Sequence, residues 1–203
     1  MSRSVRFALL PALIAALALA ACGDDDDGGG SEEEAAITEA IETSVLTTDP
    51  ADCTRLQTQS FMEQVNFATG EEAVEDCEED VTDTTNDPES VDVSGIEAGG
   101  SDASADVAFT GGPFDGSTLT VELVKEGKQW KLDRLAEVPE LNVEAFQQSF
   151  VNQLRAQGEI PSQIADCMEH EINQVSEEQV KDVLVGGTEQ DLVGLFGGCI
   201  PDQ

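Results

Sequence analysis

Apolar and polar residues alternate in four short runs between Val91 and Asp133, and this alternation constrains the fold more than any other sequence feature. A period of two residues is typical of strands that bury one face only. Glycines at 99–100, 111–112 and 127 mark the turns between the runs. The runs therefore predict a four-stranded antiparallel meander. The side chains predicted to point inward are Val91, Val93, Val107, Phe109, Leu119, Val121, Leu123, Trp130 and Leu132.

The residues before these runs follow the helical period instead. Apolar side chains recur three and four residues apart from Ile37 to Val45, and again around Cys53 and Cys77. This pattern predicts three helices, and they are the available cover for the apolar face of the sheet. Residues 35–136 are therefore expected to form an α+β domain, with three N-terminal helices packed on a curved four-stranded antiparallel sheet.

Residues 139–203 keep a helical period throughout. Capping signals and glycines divide this stretch into four short amphipathic helices. A unit of this size generally needs a covalent staple to be stable by itself. The sequence therefore predicts a small all-α, disulfide-bonded bundle after the α+β domain.

The N-terminal segment has the three-part layout of a secretory signal, with Arg3 and Arg6 ahead of an apolar run from Phe7 to Ala21. The run is shorter than the roughly 20 residues that a transmembrane helix needs. Leu19-Ala20-Ala21-Cys22 resembles the bacterial lipobox. The resemblance implies that residues 1–21 are removed and that Cys22 carries diacylglycerol and acyl groups such as palmitate. The acidic, glycine-rich residues 22–34 are then expected to be a tether.

Five cysteines become an even number once Cys22 is assigned to lipid. Export places the other four in an oxidising compartment, where disulfides persist. Four cysteines allow three connectivities, and we favour Cys53–Cys77 with Cys167–Cys199 because each pair then lies within one compact module. A metal site is the alternative, but the spacings contain no Cys-x-x-Cys and no nearby histidine.

The formal net charge of −34 bears on the class of partner. An acidic surface repels nucleic acid, which proteins bind through Lys and Arg, and it also repels anionic lipid head groups. The hydrophobic fraction of 39% is nevertheless sufficient for a folded core. The sequence therefore predicts a folded acidic body that does not bind nucleic acid.

The order of elements and the hairpin TLTVELVKEGKQWKLDRL, with Gly127, Trp130 and Leu132 in a Gly-x-x-Trp-x-Leu pattern, resemble the nuclear transport factor 2-like family with its cystatin-like cone. More narrowly, the chain is similar to small bacterial lipoproteins that carry such a domain. The resemblance covers about residues 34–135. It implies a cone around a pocket that serves catalysis, ligand binding or only the core. The candidate pocket or core residues are Phe61, Val93, Phe109, Val121, Leu123, Trp130 and Leu132.

Catalysis is the least favoured use of such a cone here. The chain has no Tyr, and its one histidine, His170, lies outside the cone domain. The predicted inward side chains include no group that transfers a proton or stabilises an oxyanion. Asp76, Asp80 and Asp83 are interpreted as an exposed face. His170, four residues after Asp166, is interpreted as a solvated helix position rather than half of a metal site. No catalytic residue, metal or cofactor is predicted.

The sequence thus predicts a lipid-anchored protein on the extracytoplasmic face of the cell membrane. Its expected function is that of a non-catalytic binding or interaction module of the cell envelope, with an envelope protein as candidate partner. The alternative is a carrier or sensor of a small apolar ligand in the cone pocket. A cone-fold isomerase or dehydratase is the remaining hypothesis.

Overall fold

The computed structural model describes residues 28–156, 161–195 and 198–199. Four α-helices come first, then four β-strands, and then four further α-helices. The first helices are α1 (Gly28–Leu46), α2 (Ala51–Leu56), α3 (Gln59–Asn66) and α4 (Glu71–Asp80). The strands are β1 (Ser90–Gly99), β2 (Asp102–Thr110), β3 (Thr118–Glu126) and β4 (Gln129–Glu140). The last helices are α5 (Val143–Ala156), α6 (Ser162–Ile172), α7 (Glu177–Gly186) and α8 (Glu189–Leu195).

The predicted signal segment and Cys22 lie outside the described residues, so lipidation stays a prediction. The description begins at residue 28. Helix α1 also begins there, so the prediction of a tether is wrong for residues 28–34. These residues continue the helix, and Glu33 is held by an ion pair with Lys125 of β3 at 2.7 Å.

The four strands form one open sheet in the order β1-β2-β3-β4, and each strand is antiparallel to its neighbour. The predicted α+β class with a four-stranded antiparallel sheet is therefore confirmed. Val107 lies opposite Val93 on one side and opposite Leu119 on the other, so these inward side chains share one face of the sheet. Helices α1 and α3 contact this sheet, chiefly at β1 and β4.

Strand β4 departs from simple alternation. Its buried positions follow a spacing of two residues at Trp130 and Leu132, and then a spacing of three at Leu135 and Val138. Register shifts between β3 and β4 cause the change, since β4 inserts extra residues against β3. Such bulges bend a strand and re-aim its side chains. They keep the second half of β4 facing the core.

Four helices precede the sheet instead of the predicted three. The break lies at Gln57, whose extended backbone (φ −124°, ψ 147°) ends α2. Gln57 forms an isolated parallel bridge with Leu132, and the Thr58 amide donates to the Leu132 carbonyl at 2.8 Å. Thr58 then caps α3 through its side chain, which accepts from the Phe61 amide. Between α2 and α3 the backbone therefore forms a hydrogen bond to β4 instead of continuing the helix.

Both predicted disulfides are confirmed. Cys53 is bonded to Cys77, and Cys167 is bonded to Cys199. The first bridge joins α2 to α4 within a small apolar cluster that also contains Met62 and Ala73. The second bridge joins α6 to the C-terminal residues.

The C-terminal helices do not all pack on one another. Helices α5 and α6 contact each other, whereas α7 contacts β4 and α3. Val180 of α7 is 2% exposed and belongs to the same core cluster as the sheet. Helices after the sheet and their disulfide are therefore present as predicted. The prediction of a separate bundle is wrong for α7, because its apolar face packs in the main core beside β4 and α3.

Candidate ligand pocket

A cavity of about 260 Å³ lies between the sheet and the helices that cover it. Helix α1 supplies Ile41 and Val45 to its wall, and α3 supplies Phe61. The opposite wall is formed by inward residues of the sheet, among them Val107, Leu119, Val121, Leu132 and Leu135. Leu184 of α7 completes the lining on a further side. The helical period and the strand period therefore direct apolar side chains into the same space.

Aromatic rings line one part of the cavity. Phe109 and Phe114 both face it, and their ring centroids are 5.7 Å apart. The Phe114 ring is in turn 6.0 Å from that of Phe146 on α5. Tilted pairs at these distances are favourable aromatic contacts. They brace the β2–β3 connection against α5.

Three polar residues, Ser44, Gln57 and Gln64, also line the cavity. Ser44 and Gln57 are 6% and 8% exposed, and Gln57 Nε2 donates to Ser44 Oγ at 3.1 Å. The carboxamide oxygen of Gln57 lies 3.6 Å from Sγ of Cys77. That sulfur belongs to a disulfide and carries no hydrogen to donate.

Gln64 connects three parts of the chain. Its Nε2 donates to the Leu135 carbonyl at 2.9 Å and to the Val185 carbonyl at 2.8 Å. Its Oε1 accepts from the Leu135 amide at 2.9 Å. One side chain on α3 therefore fastens β4 and the end of α7 beside the cavity.

The predicted pocket residues divide into two groups. Phe61, Phe109, Val121 and Leu132 line the cavity. Leu123 and Trp130 do not line it but are buried in the main core, 1% and 2% exposed, toward the β3–β4 turn. Val93 is half-buried on β1 and packs against the same core. An inward direction alone does not place a side chain at the cavity. Near the β3–β4 turn, the inward side chains pack against one another and leave no hollow.

Four residues that line the cavity are absent from the predicted pocket: Ser44, Gln57, Gln64 and Leu184. Ser44 carries one signal, since it follows Ile37 and Ile41 on the apolar face of α1 and is itself polar. Gln57 lies in a polar stretch, Gln64 is one of several polar residues on the amphipathic α3, and Leu184 is distant in sequence from the sheet. Nothing in their local pattern indicates a shared cavity.

The cavity lining contains no titratable side chain in the described residues. Asp76, Asp80 and Asp83 lie on or after α4 and do not line it. Desolvation first, and then repulsion from Asp76, Glu79 and Asp83, raises the pKa of the Asp80 carboxyl above its ordinary value. Desolvation of the Asp80 carboxyl and repulsion from its acidic neighbours explain the raised pKa without any ligand.

No metal site is formed by the described residues, since none of their His, Cys, Asp and Glu side chains gather in a group of three or more that could hold an ion. His170 is exposed on α6. Within the same residues, no helix is both long enough and apolar enough to cross a membrane.

Comparisons with family models, with curated proteins and with solved structures found no match to the chain.

Proposed function

We propose that the chain is a lipid-anchored binding protein on the extracytoplasmic face of a bacterial membrane, and that it holds a small apolar ligand in the central cavity without catalysing a reaction. The observation that carries the proposal is the cavity itself. It combines a volume of about 260 Å³ with a mostly apolar wall that lacks titratable groups. Such a wall favours the binding of an apolar molecule, and it provides no side chain that could act as a general acid or base.

The cavity volume limits the size of the ligand. Pockets for drug-sized molecules span roughly 300–1,000 Å³, so a cavity of about 260 Å³ suits a small ring system or a short chain. Ten buried methylene-sized groups would contribute about 8 kcal/mol at about 0.8 kcal/mol each. The loss of translational and rotational freedom costs roughly 4 kcal/mol or more. The difference of about 4 kcal/mol or less corresponds to dissociation constants of about 1 mM or weaker.

Two further observations support the proposed location and fold family. Both disulfides join described cysteines, as expected for a protein in an oxidising compartment. The lipobox-like Leu19-Ala20-Ala21-Cys22 supplies the proposed anchor. The nuclear transport factor 2-like resemblance is part of the proposal, because the cavity lies between the sheet and helices where that family has its cone pocket.

A matched pair of variants on β3 tests the function. Val121 lines the cavity, whereas Val124 is half-buried next to Glu97, Glu122 and Asp133 in a separate surface cleft. Val121→Phe would fill the cavity, and Val124→Phe adds the same bulk elsewhere. Full-length lipidated protein in lipid nanodiscs would be titrated with 2-methylnaphthalene and followed by methyl NMR. Identical nanodiscs make the partitioning of the probe into lipid the same for each variant.

We expect saturable shifts of the cavity methyl groups in the wild type and in Val124→Phe, and at least a 10-fold weaker response in Val121→Phe. Dispersed methyl spectra would show that each variant is folded. Absence of saturable shifts in the wild type would overturn the ligand-binding function.

An interaction module that recruits an envelope protein is the second candidate. Helix α4 favours it, since its exposed side chains are almost all acidic. The exposed acids are Glu71, Glu72, Glu75, Glu78, Glu79 and Asp80. A wild-type cavity that binds no apolar probe would leave this candidate as the preferred function.

A further inference from the structure

The polar pair Ser44 and Gln57 is the least expected feature of the cavity wall. Both side chains are more than nine-tenths buried, and both line a cavity that is otherwise apolar. Burying a polar group without a hydrogen-bond partner destabilises the fold. Polar groups retained in such a place are expected to have partners.

The hydrogen bond between the two side chains leaves one donor and one acceptor without a partner of good strength. Gln57 Nε2 donates to Ser44 Oγ at 3.1 Å. The hydroxyl hydrogen of Ser44 has no acceptor among the described residues. The carboxamide oxygen of Gln57 has the disulfide sulfur of Cys77 at 3.6 Å as its neighbour, and that sulfur has no hydrogen to donate. One donor and one acceptor of this pair, which lines the cavity, therefore lack a strong partner.

Turning the Gln57 carboxamide over does not remove this imbalance. The Ser44 hydroxyl would then donate to Oε1, but Nε2 would face the Cys77 sulfur, which is a weak acceptor. In either orientation the pair lacks a partner of good hydrogen-bonding strength.

The backbone holds the pair in place before a ligand arrives. Gln57 bridges to Leu132 of β4, and its amide donates to the Cys53 carbonyl at 3.0 Å. Cys53 is in turn fixed by its disulfide to Cys77. Ser44 lies within α1, between the buried Ile41 and the half-buried Val45. A preorganised pair of this kind loses little freedom on binding.

The geometry points to a ligand with an apolar body and one hydroxyl group, which would sit against Ser44 and Gln57. A hydroxyl is a donor and an acceptor at once. It accepts from the Ser44 hydroxyl and donates to the Gln57 carboxamide oxygen, so both leftover groups are paired by a single atom. A small alcohol or phenol therefore fits the cavity better than a hydrocarbon of the same shape. This inference rests on the proposed ligand-binding function and specifies the class of ligand.

The test compares two probes of nearly the same shape, 2-naphthol and 2-methylnaphthalene. At the same ring position, 2-naphthol carries a hydroxyl group and 2-methylnaphthalene carries a methyl group. Each would be titrated by methyl NMR into full-length protein in nanodiscs, with the wild type and with Ser44→Ala, Gln57→Leu and Ser60→Ala. Ser60 is exposed on α3 and does not line the cavity, so Ser60→Ala is the matched control.

We expect Ser44→Ala and Gln57→Leu each to weaken the binding of 2-naphthol by about 3- to 10-fold, the equivalent of one lost hydrogen bond. The affinity for 2-methylnaphthalene should stay within about twofold or improve, because an apolar wall suits it at least as well. Ser60→Ala should change neither affinity. Ser44→Ala removes one oxygen only, and it keeps the test decisive if Gln57→Leu fails to fold.

Two outcomes would overturn the inference in distinguishable ways. If both probes bind the wild type and Ser44→Ala weakens neither, or weakens both equally, the hydroxyl subsite is wrong and the apolar-ligand function stands. If neither probe binds the wild type, the ligand-binding function fails together with the subsite.

Discussion

Asp52 illustrates how a single carboxylate is accommodated at the edge of a core. It is 7% exposed. Its Oδ2 accepts from Thr47 Oγ1 at 2.6 Å, and its Oδ1 accepts from Arg55 Nε at 2.8 Å. The Thr47 hydrogen bond above all, and then Arg55, lower the pKa of Asp52 below its ordinary value, although desolvation opposes them. The ionised form of Asp52 is therefore favoured by folding.

Asp52→Asn should make the protein less stable at neutral pH and less sensitive to acid. The pKa of Asp52 is lower in the folded chain than its ordinary value of 3.8. Its stabilisation is therefore present above that ordinary value and is lost as the pH falls through the folded pKa. We expect the variant to lose about 1–2 kcal/mol of unfolding free energy at pH 7, and much less at pH 3. Urea titrations at both pH values measure this difference, and equal losses at the two would contradict the assignment.

Helix α7 is held in position by one side chain that is distant in sequence. Gln64 reaches from α3 to the Leu184 and Val185 carbonyls at the end of α7, and its other contacts hold the Leu135 backbone on β4. Because Gln64 and Leu184 both line the cavity, the same contacts that dock α7 also close one side of the pocket.

Gln64→Ala should loosen α7 more than the rest of the chain. The change leaves the Leu135 amide without its side-chain acceptor and removes the donor to α7, so we expect a loss of about 2 kcal/mol. Amide hydrogens of α7 should exchange faster, which hydrogen exchange with mass spectrometry would detect. Gln59→Ala is the matched control, because Gln59 lies on the same helix but is exposed and bonds only the nearby Glu63. Unchanged exchange in α7 in the Gln64 variant would show that α7 does not depend on this contact.

The molecule as a whole contains two apolar clusters of unequal size in its described residues. The large cluster joins α1, the sheet and α7, and it surrounds the cavity. The buried residues of the small cluster are Cys53, Met62, Ala73 and Cys77, and Ala68, Val74 and Val81 pack against them. A cluster of four buried residues provides little hydrophobic stabilisation, so the bridge between its two cysteines is expected to hold α4 on the body.

The double variant Cys53→Ala/Cys77→Ala should therefore release α4. The two cysteines are 24 residues apart, and the chain-entropy relation assigns such a bridge about 3 kcal/mol. Urea unfolding without reductant gives the loss of stability, and hydrogen exchange shows where protection falls. Cys167→Ala/Cys199→Ala is the control, since its separation of 32 residues gives a similar entropy but it joins α6 to the C-terminal residues. Equal loss of α4 protection in both variants would contradict the local role of the first bridge.

The local sequence pattern was sufficient to predict the strands and the side of each strand that faces the core. Alternation placed Val107, Leu119 and Val121 on the buried face of the sheet because side-chain direction in a strand depends only on neighbours in sequence. The cysteine pairs also followed from sequence, since each pair lies within one run of helices. The candidate pocket was found in part, because Phe61 and Phe109 line it whereas Trp130 is filled core.

The sequence by itself therefore indicated the four strands, the helical regions on either side of them, the inward faces and the covalent bridges, all of which depend on spacing along the chain. Only the tertiary structure decided the bridge from Gln57 to β4, the bulges of β4, the docking of α7 and the hollow between sheet and helices. Each of these depends on contacts between residues far apart in sequence, such as Gln64 with Val185. These contacts stabilise the protein only after the register of the sheet and the packing of the helices are both established. The local spacing of apolar residues therefore does not predict them.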